Sequence, residues 1–338
     1  MKALQIVSAG NVRLVELEVP VPSSGEVLIR MVYVGFCGSD LNTFRGANAM
    51  AKPDVIPGHE IAAEIVSVGE GVPEEFKPGM RVTVNPYTNC GHCPSCRNFR
   101  PNACQHNETL GVQRDGAMRE YICLPWQKII PVGELGFKET ALVEPMSVGF
   151  HAVSRAQVTD VDTVMVIGCG MVGLGAIVRA SLRGATVIAA DIDDGKLGIA
   201  RSMGASFSVN TRSEDVHTRL QEITGGAGPD VVIEAVGSPV TYRMAVDEVA
   251  FTGRVTCIGY SKDDVCFTTK LFVQKELDIR GSRNALPDDF RAVIRYMEQG
   301  NCPVDTLVSD VVGFDGAQAA LERWNSNPGA VFRILLEL

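Results

Sequence analysis

The stretch TVMVIGCGMVGLGAIVRASLRGATVIAAD, residues 163–191, determines the fold expected for this chain. Its apolar run at 164–167 predicts a buried strand, and the segment 174–183, closed by Gly184, has the length and composition of a helix. A second apolar run at 186–190 predicts another strand. Strand, helix and strand in this order form a parallel βαβ unit, so the expected fold class is α/β with a doubly wound parallel sheet.

The turn between the first strand and the helix carries the glycine pattern G-x-G-x-x-G at residues 168–173. The first glycine of this pattern makes a tight turn, the second lets a pyrophosphate approach the backbone, and the third lets the helix pack on the strand. The free N–H groups and the positive dipole end of the helix hold the phosphates. The pattern predicts a Rossmann dinucleotide site with cofactor contacts from Gly168, Gly170, Met171, Val172 and Gly173.

Asp191 ends the second strand, eighteen residues after Gly173. A carboxylate at this distance accepts hydrogen bonds from the ribose hydroxyls and repels a 2′-phosphate, so NAD is expected rather than NADP. The alternative is a tight turn followed by an unrelated Asp, because glycine turns are common in α/β proteins. The joint occurrence of strand, turn, helix, strand and acid favours nucleotide binding.

The composition limits the kinds of protein that the chain represents. With 338 residues it is longer than a single core usually grows, so two domains are expected. A formal net charge of -9 leaves no basic surface for nucleic acid phosphates. The first residues lack the apolar segment of a signal peptide, and the longest apolar run, 164–178, is too short to span a membrane. We therefore expect a cytoplasmic protein with neither a nucleic acid nor a membrane partner.

The part of the chain before about residue 140 has a different pattern. Apolar and polar residues alternate in the segments LQIV, VRLVELEVP and EVLIRMVYV, with Pro and Gly between them. Such alternation predicts short antiparallel strands. Because no long helical pattern occurs there, a mainly β domain is expected ahead of the βαβ region.

Four of the ten cysteines lie within fifteen residues, in a loop rich in Gly, Pro and Asn. The spacing C-x2-C-x2-C-x7-C is formed by Cys90, Cys93, Cys96 and Cys104. Four thiolates complete tetrahedral zinc coordination, so the loop is predicted to hold a structural zinc ion. An iron–sulfur cluster and metal-free cysteines remain alternatives, although the last gap differs from the bacterial ferredoxin spacing. The neighbouring His92 and His106 are interpreted as exposed loop residues.

Three distant residues, Cys37, His59 and Glu144, offer a second kind of metal site. They supply one sulfur, one nitrogen and one oxygen ligand, which leaves the fourth position of a zinc ion open, as in catalytic sites. Taken singly, Cys37 is more often a buried thiol and His59 a satisfied polar side chain, whereas Glu144 in an apolar stretch needs a partner. Spacing alone does not establish that the three residues meet.

Taken together, the motifs resemble a known family over essentially the full length of the chain. The zinc-dependent medium-chain dehydrogenases/reductases have, in the same order, Cys37-Gly38-Ser39-Asp40, Gly58-His59-Glu60, the cysteine loop, Glu144-Pro145 and the glycine pattern. Glu at position 144, where classical alcohol dehydrogenases have Cys, resembles the polyol, threonine and sugar-acid dehydrogenase branch.

The resemblance implies two domains. A mainly β, GroES-like catalytic domain would comprise residues 1–150 and 283–338, with a structural zinc lobe at about 86–106. An NAD-binding Rossmann domain would occupy 151–282. The first domain is then discontinuous, and its last strand is expected near 331–336.

The resemblance also implies roles for single residues. Cys37, His59 and Glu144 would bind the catalytic zinc ion. Glu60 would lie behind these ligands or act as an exchangeable fourth ligand, and Ser39 would pass the substrate proton towards solvent. Further cofactor contacts would come from Asp191, Lys196, Val236, Gly237 and Arg283.

Asn42 departs from the family pattern, which commonly has His five residues after the zinc-binding Cys. Asn does not titrate as His does, so the proton relay would run through Ser39, the ribose hydroxyls and water. Alternatively, Asn42 hydrogen-bonds to a substrate hydroxyl. Both interpretations remain open.

The function implied is hydride transfer from a secondary alcohol of a polyol or sugar acid to NAD, which gives the ketone. The alternatives are oxidation of L-threonine, or a non-catalytic protein that binds NAD as a signal. Two zinc ions per chain and a homodimer or homotetramer are expected. An anionic or polyhydroxylated substrate would be contacted by Asn42, Arg45, Arg114 and Asn284.

Overall fold

A computed structural model describes residues 1–338. The chain divides into two compact units, one formed by Met1–Glu144 with Val293–Leu338 and the other by Pro145–Ala292. The first unit is discontinuous, and its boundaries at 144 and 293 lie six and ten residues from the expected 150 and 283. Both boundaries of the compact units fall inside helices, where no loop composition marks them.

The first segment of the chain is mainly β, with short helices. Its elements are β1 (Lys2–Ser8), β2 (Asn11–Glu16), β3 (Glu26–Gly35), α1 (Gly38–Phe44), β4 (Glu60–Val68), β5 (Arg81–Val84), α2 (Pro94–Arg97), β6 (Tyr121–Pro125), β7 (Ile129–Pro131) and α3 (Phe137–Ala141).

The middle segment alternates helices and strands. Its elements are α4 (Val143–Ala156), β8 (Thr163–Ile167), α5 (Met171–Leu182), β9 (Thr186–Asp191), α6 (Asp194–Ser202), β10 (Phe207–Asn210), α7 (Val216–Thr224), β11 (Val231–Glu234), α8 (Pro239–Glu248), β12 (Arg254–Cys257), α9 (Lys270–Gln274), β13 (Asp278–Gly281) and α10 (Pro287–Met297). The last segment contains α11 (Val304–Leu307), β14 (Val308–Val312), α12 (Ala317–Ser326) and β15 (Arg333–Glu337).

The main sheet of the first unit is largely antiparallel. Its strands follow the order β14-β15-β3-β4-β5-β7, with β6 also paired to β3, while β1 and β2 form a separate hairpin. The late strand β15 pairs with β3, so the end of the chain completes the sheet that the beginning starts. Phe36, Ile29 and Ile61 are fully buried in its core, as expected for the apolar face of alternating strands.

One register in this sheet positions the candidate site. Gly35, the last residue of β3, pairs with Glu60, the first residue of β4. Cys37 follows β3 by two residues and His59 immediately precedes β4, so both lie at the same sheet edge. Because β15 pairs antiparallel with β3 through Leu335 and Gly35, Arg333 approaches that edge as well.

The sheet of the second unit is entirely parallel, as the sequence predicts. Its strand order is β10-β9-β8-β11-β12-β13. The chain winds outward from β8 in one direction and from β11 in the other, so the switch point of the topology lies between these two strands. Ligands of doubly wound folds bind at the carboxyl ends of the strands at this point. No helix of either unit is long and apolar enough to cross a membrane.

Helices α4 and α5 approach each other backbone to backbone. A Cβ atom placed on Gly149 of α4 would lie 2.2 Å from the carbonyl oxygen of Val172 and 2.4 Å from the amide nitrogen of Ala176, both in α5. From the other side, a Cβ atom on Gly175 would lie 2.5 Å from the carbonyl oxygen of Met146. These glycines allow the helix that follows the glycine pattern to pack closely in the second unit.

Gly149→Ala is therefore expected to lower the free energy of unfolding by about 1–3 kcal/mol, the usual cost of overpacking. Gly198→Ala is the matched control, because Gly198 lies in α6 with no atom within 4 Å of the added methyl group. The free energy of unfolding of Gly198→Ala should rise by about 0.5–1 kcal/mol, because Ala forms helices better than Gly does. Urea denaturation followed by circular dichroism compares the two, and equal midpoints would contradict the proposed packing.

Candidate metal and nucleotide sites

Three side chains of the first unit converge at the edge formed by β3 and β4. The Sγ atom of Cys37, a ring nitrogen of His59 and a carboxylate oxygen of Glu60 all lie within 4.8 Å of one another. His59 is 6% exposed and Glu60 is fully buried. Residues that the sequence separates by more than twenty positions thus form one compact donor set.

The donor atoms of this set lack the partners that buried polar groups require. The Nδ1 atom of His59 and both carboxylate oxygens of Glu60 have no hydrogen-bond partner. The Nη1 atom of Arg333 lies 3.1 Å from Glu60 Oε1, close enough for an ion pair but without hydrogen-bond geometry. Buried polar groups without hydrogen-bond partners are costly, and a cation bound by sulfur, nitrogen and oxygen would compensate for the missing bonds. The residues therefore fit Zn²⁺.

Glu144 lies near His59 but is not a member of the compact set. Its carboxylate accepts a hydrogen bond from the hydroxyl group of Tyr87, and Glu60, not Glu144, joins Cys37 and His59 in the compact set. The register places Glu60 in the compact set, because Glu60 is the first residue of β4 and lies at the sheet edge next to His59. Burial raises the pKa of Glu144 to about 7, although the nearby His59 opposes this.

His59 lies in an acidic environment. Burial disfavours its charged form, but the neighbouring Cys37, Asp40 and Glu144 outweigh this effect and raise the pKa of His59 well above its ordinary value. The same negative groups that would hold a proton on His59 would attract a metal cation in its place.

Tyr87 and Asp40 belong to the site, although the sequence did not identify them. Tyr87 is buried beside Glu144. Asp40, fully buried in the first turn of α1, accepts a hydrogen bond from the backbone amide of Cys37 at 2.9 Å. Burial raises the pKa of Asp40 to about 6. Asp40 thereby fixes the backbone at Cys37, at the start of α1.

The helix α1 also presents Ser39 and Asn42. The hydroxyl oxygen of Ser39 is buried and has no hydrogen-bond partner. Asn42 lies three residues further along the same helix, and its backbone carbonyl accepts a hydrogen bond from Ala47. Ser39 thus offers an unused hydroxyl group beside Cys37.

Arg45, which the sequence predicts to contact substrate, is hydrogen-bonded to α12. Its Nε atom donates to Asn325 Oδ1 at 2.6 Å, and its Nη2 atom lies 3.4 Å from the carbonyl oxygen of the same residue. These contacts connect the end of α1 to α12. A planar guanidinium satisfied in this way has a structural role.

The four cysteines of the lobe form a second donor set. All their sulfur atoms lie within 4.8 Å of one another, and none of the cysteines is in a disulfide. Cys93 Sγ lies 3.5 Å from that of Cys96 and 3.7 Å from that of Cys104. A tetrahedron with zinc–sulfur bonds of about 2.3 Å has edges of about 3.8 Å, so the spacing fits Zn²⁺.

Backbone amides support these thiolates. The amide of Cys93 lies 3.3 Å from Cys90 Sγ, and the amide of His106 lies 3.3 Å from Cys104 Sγ. His92 and His106 also approach Cys90, but both are exposed, as the sequence predicts. Four sulfur ligands leave no coordination position for either imidazole.

In the second unit, the glycine pattern has the geometry that a pyrophosphate requires. Gly168 has φ of +95°, which a residue with a side chain rarely adopts, and a Cβ on Gly173 would lie 1.8 Å from the carbonyl oxygen of Gly168. Gly170, which caps the N-terminus of α5, has no atom within 4 Å of the position that a methyl group would take. The open space at Gly170 beside free helix amides fits a phosphate group.

Asp191 lies beside this turn. Its carboxylate accepts hydrogen bonds from the amide of Cys169 at 2.7 Å, of Ile192 at 2.7 Å and of Asp193 at 3.1 Å. The hydrogen bond from the amide of Cys169 ties the end of β9 to the glycine turn. Lys196 follows in the first turns of α6, where its backbone amide is capped by Asp193.

The remaining cofactor candidates follow β11 and β13. The amides of Val236 and Gly237 donate to the buried carboxylate of Glu234, at 2.9 and 2.7 Å. Val236 is half exposed, and Gly237 has φ of +83°. Arg283 and Asn284 come directly after β13, with Asn284 in the left-handed region at φ of +54°. All four lie at the carboxyl edge of the parallel sheet.

Comparison with known proteins gives two family matches. The family described as the alcohol dehydrogenase GroES-like domain matches residues 23–134, and the one described as zinc-binding dehydrogenase matches residues 172–299. The L-galactonate-5-dehydrogenase of Escherichia coli (strain K12) is 32% identical over 306 residues, covering 90% of each chain. The sorbitol dehydrogenase of Bacillus subtilis (strain 168) is 33% identical over 333 residues, covering 96% of this chain and 93% of its own.

Solved structures agree with these matches. A short chain alcohol dehydrogenase (rspB) from E. coli CFT073, solved in complex with NADH, superimposes with a TM-score of 0.92 at 29% identity. The superposition covers 100% of this chain and 99% of that one.

Proposed function

The chain belongs to the zinc-binding dehydrogenase family, in the branch of polyol and sugar-acid dehydrogenases, and from this membership we propose that it oxidises a secondary alcohol of such a substrate with NAD. The observation that carries the proposal is the pairing of two features in one chain. One unit has the compact set of Cys37, His59 and Glu60, and the other has a glycine turn next to Asp191.

We assign the catalytic zinc ion to Cys37, His59 and Glu60, while Glu144 stays hydrogen-bonded to Tyr87. Bound zinc supplies Lewis acidity, which lowers the pKa of an alcohol and makes its alkoxide accessible near neutral pH. Asp40 orients the backbone at Cys37 through the hydrogen bond from its amide. A second zinc ion would be held by the cysteine lobe in a structural role.

Ser39, with its unpartnered hydroxyl group, would take up the hydroxyl proton of the substrate and pass its own proton on towards solvent. NAD, held by the second unit, would supply the acceptor for the carbinol hydrogen and its electron pair, so that the alcohol would become a ketone as NAD is reduced. Asn42, on the same helix, either continues the relay through water or binds a second substrate hydroxyl.

Residues of the second unit would bind the cofactor. The amides at the start of α5 would contact the pyrophosphate above Gly170, and Asp191 would accept hydrogen bonds from the ribose hydroxyls. The charge of Asp191 would disfavour the additional phosphate of NADP. Lys196, Val236, Gly237 and Arg283 would complete the contacts along the sheet edge.

Zinc analysis combined with a substrate panel tests this function. The panel contains polyols, aldonates and L-threonine, read by NADH absorbance. About two zinc ions per chain and turnover of a polyol or aldonate are expected. Turnover confined to L-threonine would favour the amino-acid alternative. One zinc ion per chain with no turnover would favour a binding protein that responds to NAD.

Cofactor choice has its own test at Asp191. Asp191→Ala is expected to raise the dissociation constant of NAD by about 10- to 100-fold, since hydrogen bonds to a charged group contribute about 1.5–3 kcal/mol. Asp191→Asn keeps the side-chain shape and removes only the charge, so it should narrow the preference for NAD over NADP. Fluorescence titration of both nucleotides provides the measurement.

The neighbouring acid supplies the control for this test. Asp193→Asn preserves the cap on α6, because Asn caps helices as well as Asp does. It should leave the dissociation constants of NAD and NADP within about twofold of the parent values, a change in binding free energy smaller than the contribution of one hydrogen bond. An unchanged NAD affinity in Asp191→Ala would remove Asp191 from the cofactor site.

A further inference from the structure

The loop at residues 110–118 packs directly on the segment that precedes His59. A Cβ atom on Gly111 would lie 2.5 Å from the amide nitrogen of Gly58, and one on Gly116 would lie 2.4 Å from the carbonyl oxygen of Gly58. The amide of Ala117 donates to that carbonyl at 2.9 Å. The loop therefore has a fixed position next to the proposed catalytic zinc ligands.

Arg114 projects from this loop without an acidic partner. The backbone amide of Gly111 donates to the carbonyl of Arg114 at 2.8 Å and closes a tight turn. In the side chain, Nη2 lies 3.5 Å from the carbonyl oxygen of Pro86, and the buried Nε has no acceptor. Pro86 immediately precedes Tyr87, which hydrogen-bonds to Glu144. Arg114 is thus connected to the site on two sides.

Lys128 adds a second positive charge next to the same segment. Its ammonium group donates to the carbonyl oxygen of Tyr87 at 2.6 Å and to Asn89 Oδ1 at 3.3 Å. An ammonium group has three donors, so one N–H remains for a further acceptor. Arg114 and Lys128 thus approach the carbonyl oxygens of two consecutive residues, Pro86 and Tyr87. Burial lowers the pKa of Lys128, and the charge of Arg114 lowers it further.

The nearby acids do not neutralise this pair. Neither Arg114 nor Lys128 has a carboxylate within ion-pair distance. Asp115 is taken by Lys52 at 2.8 Å and by the amide of Ile56 at 3.0 Å. Glu108 partly offsets the effect of burial, which lowers the pKa of Arg114. In a chain with a net charge of -9, two half-buried cations without a carboxylate are a local excess of positive charge.

We propose that Arg114 and Lys128 form an oxyanion subsite that binds a terminal carboxylate or phosphate of the substrate. The inference rests on the proposed function, which it narrows from any polyol to a substrate that carries an anionic group. The guanidinium supplies a planar fork of N–H groups suited to an oxyanion, and the ammonium group supplies a point charge beside it. Partial burial of the two positive charges is unfavourable by itself. The attraction of a bound anion would offset this cost.

The test compares substrates that differ only in the anionic group: an aldonate, the corresponding alditol and its terminal phosphate. The parent enzyme should have the highest kcat/KM with one of the two anionic compounds. Arg114→Gln should reduce the kcat/KM for that anionic compound by about 10- to 100-fold, the effect of one charge-assisted contact. The kcat/KM for the alditol and the KM for NAD should stay within about twofold of the parent values. Arg114→Lys should recover part of the loss. Arg45→Gln is the matched control and should not change the ratio of anionic to neutral substrate.

Three results would overturn the subsite. Equal use of the alditol and the anionic compounds, unchanged in Arg114→Gln, would refute it and leave the proposed dehydrogenase intact. A loss confined to the KM for NAD would mean that the bound oxyanion is a cofactor phosphate. If the zinc-loaded enzyme turns over no compound, the proposed function fails. The subsite is then tested on its own, by calorimetric measurement of the binding of the aldonate and of inorganic phosphate. Binding lost in Arg114→Gln but kept in Arg45→Gln would support the subsite, and no binding to the parent would end it.

Discussion

Replacing His59 by alanine is expected to lower kcat/KM for the alcohol by about 10³-fold or more and to remove about one of two zinc ions per chain. His59 supplies the nitrogen ligand of a compact set in which its Nδ1 atom and the Glu60 carboxylate have no other hydrogen-bond partner. Lewis acidity contributes several kcal/mol to alcohol oxidation, and each 1.4 kcal/mol is about tenfold in rate. Loss of the ion should therefore remove nearly all turnover.

The NAD affinity of the same variant separates loss of metal from loss of fold. The nucleotide residues belong to Pro145–Ala292, whereas His59 belongs to the other unit, so the dissociation constant of NAD should remain within about twofold. His217→Ala is the matched control, because His217 is exposed on α7, pairs with Glu248 of α8 and belongs to neither donor set. Zinc is measured by atomic emission. Two zinc ions and full activity in His59→Ala would refute the assignment.

The nucleotide site was predictable because its parts are contiguous. The glycine pattern, the helix after it and Asp191 lie within one βαβ unit, where hydrogen bonds and close approaches follow from local chain geometry. The predicted strands of the second unit likewise begin and end within about two residues of the observed ones, since each is a short apolar run between turns. Such features depend little on distant parts of the chain.

The metal site was predictable only in part, because its ligands come from separate segments. Cys37 and His59 carry recognisable motifs, but the choice between Glu60 and Glu144 depends on the register of β3 with β4. Tyr87 and Asp40 have no distinctive spacing, and their importance appears only when burial and hydrogen bonds are known. The sequence also did not predict the hydrogen-bond partner of Arg45, because that partner, Asn325, is 280 positions away.

Replacing Cys93 by serine is expected to weaken zinc binding in the cysteine lobe about a hundredfold, so that a competing chelator reduces the bound zinc from about two ions per chain to about one. The lobe has little secondary structure of its own, with only the four-residue helix α2, so metal binding supplies much of its folding energy. A site of four thiolates gains about 10–16 kcal/mol from the ion, or roughly 3 kcal/mol per thiolate, which corresponds to about a hundredfold in affinity. Competition with a chromogenic chelator measures the loss.

Loss of the zinc ion from the lobe should affect the local structure of the chain, whereas the loss in His59→Ala should affect turnover. Without its ion the lobe at 86–106 should become sensitive to limited proteolysis, and the contact between Lys128 and Asn89 should weaken with it. Cys266→Ser is the matched control, because Cys266 is an exposed free thiol outside the lobe and should change neither the zinc content nor the proteolysis pattern. Thiolates 3.5–3.7 Å apart repel one another unless a cation or protons separate their charges, so a bound ion is expected to hold the four sulfur atoms of the parent together. If the chelator removed zinc from Cys93→Ser no more readily than from the parent, Cys93 would not be a zinc ligand.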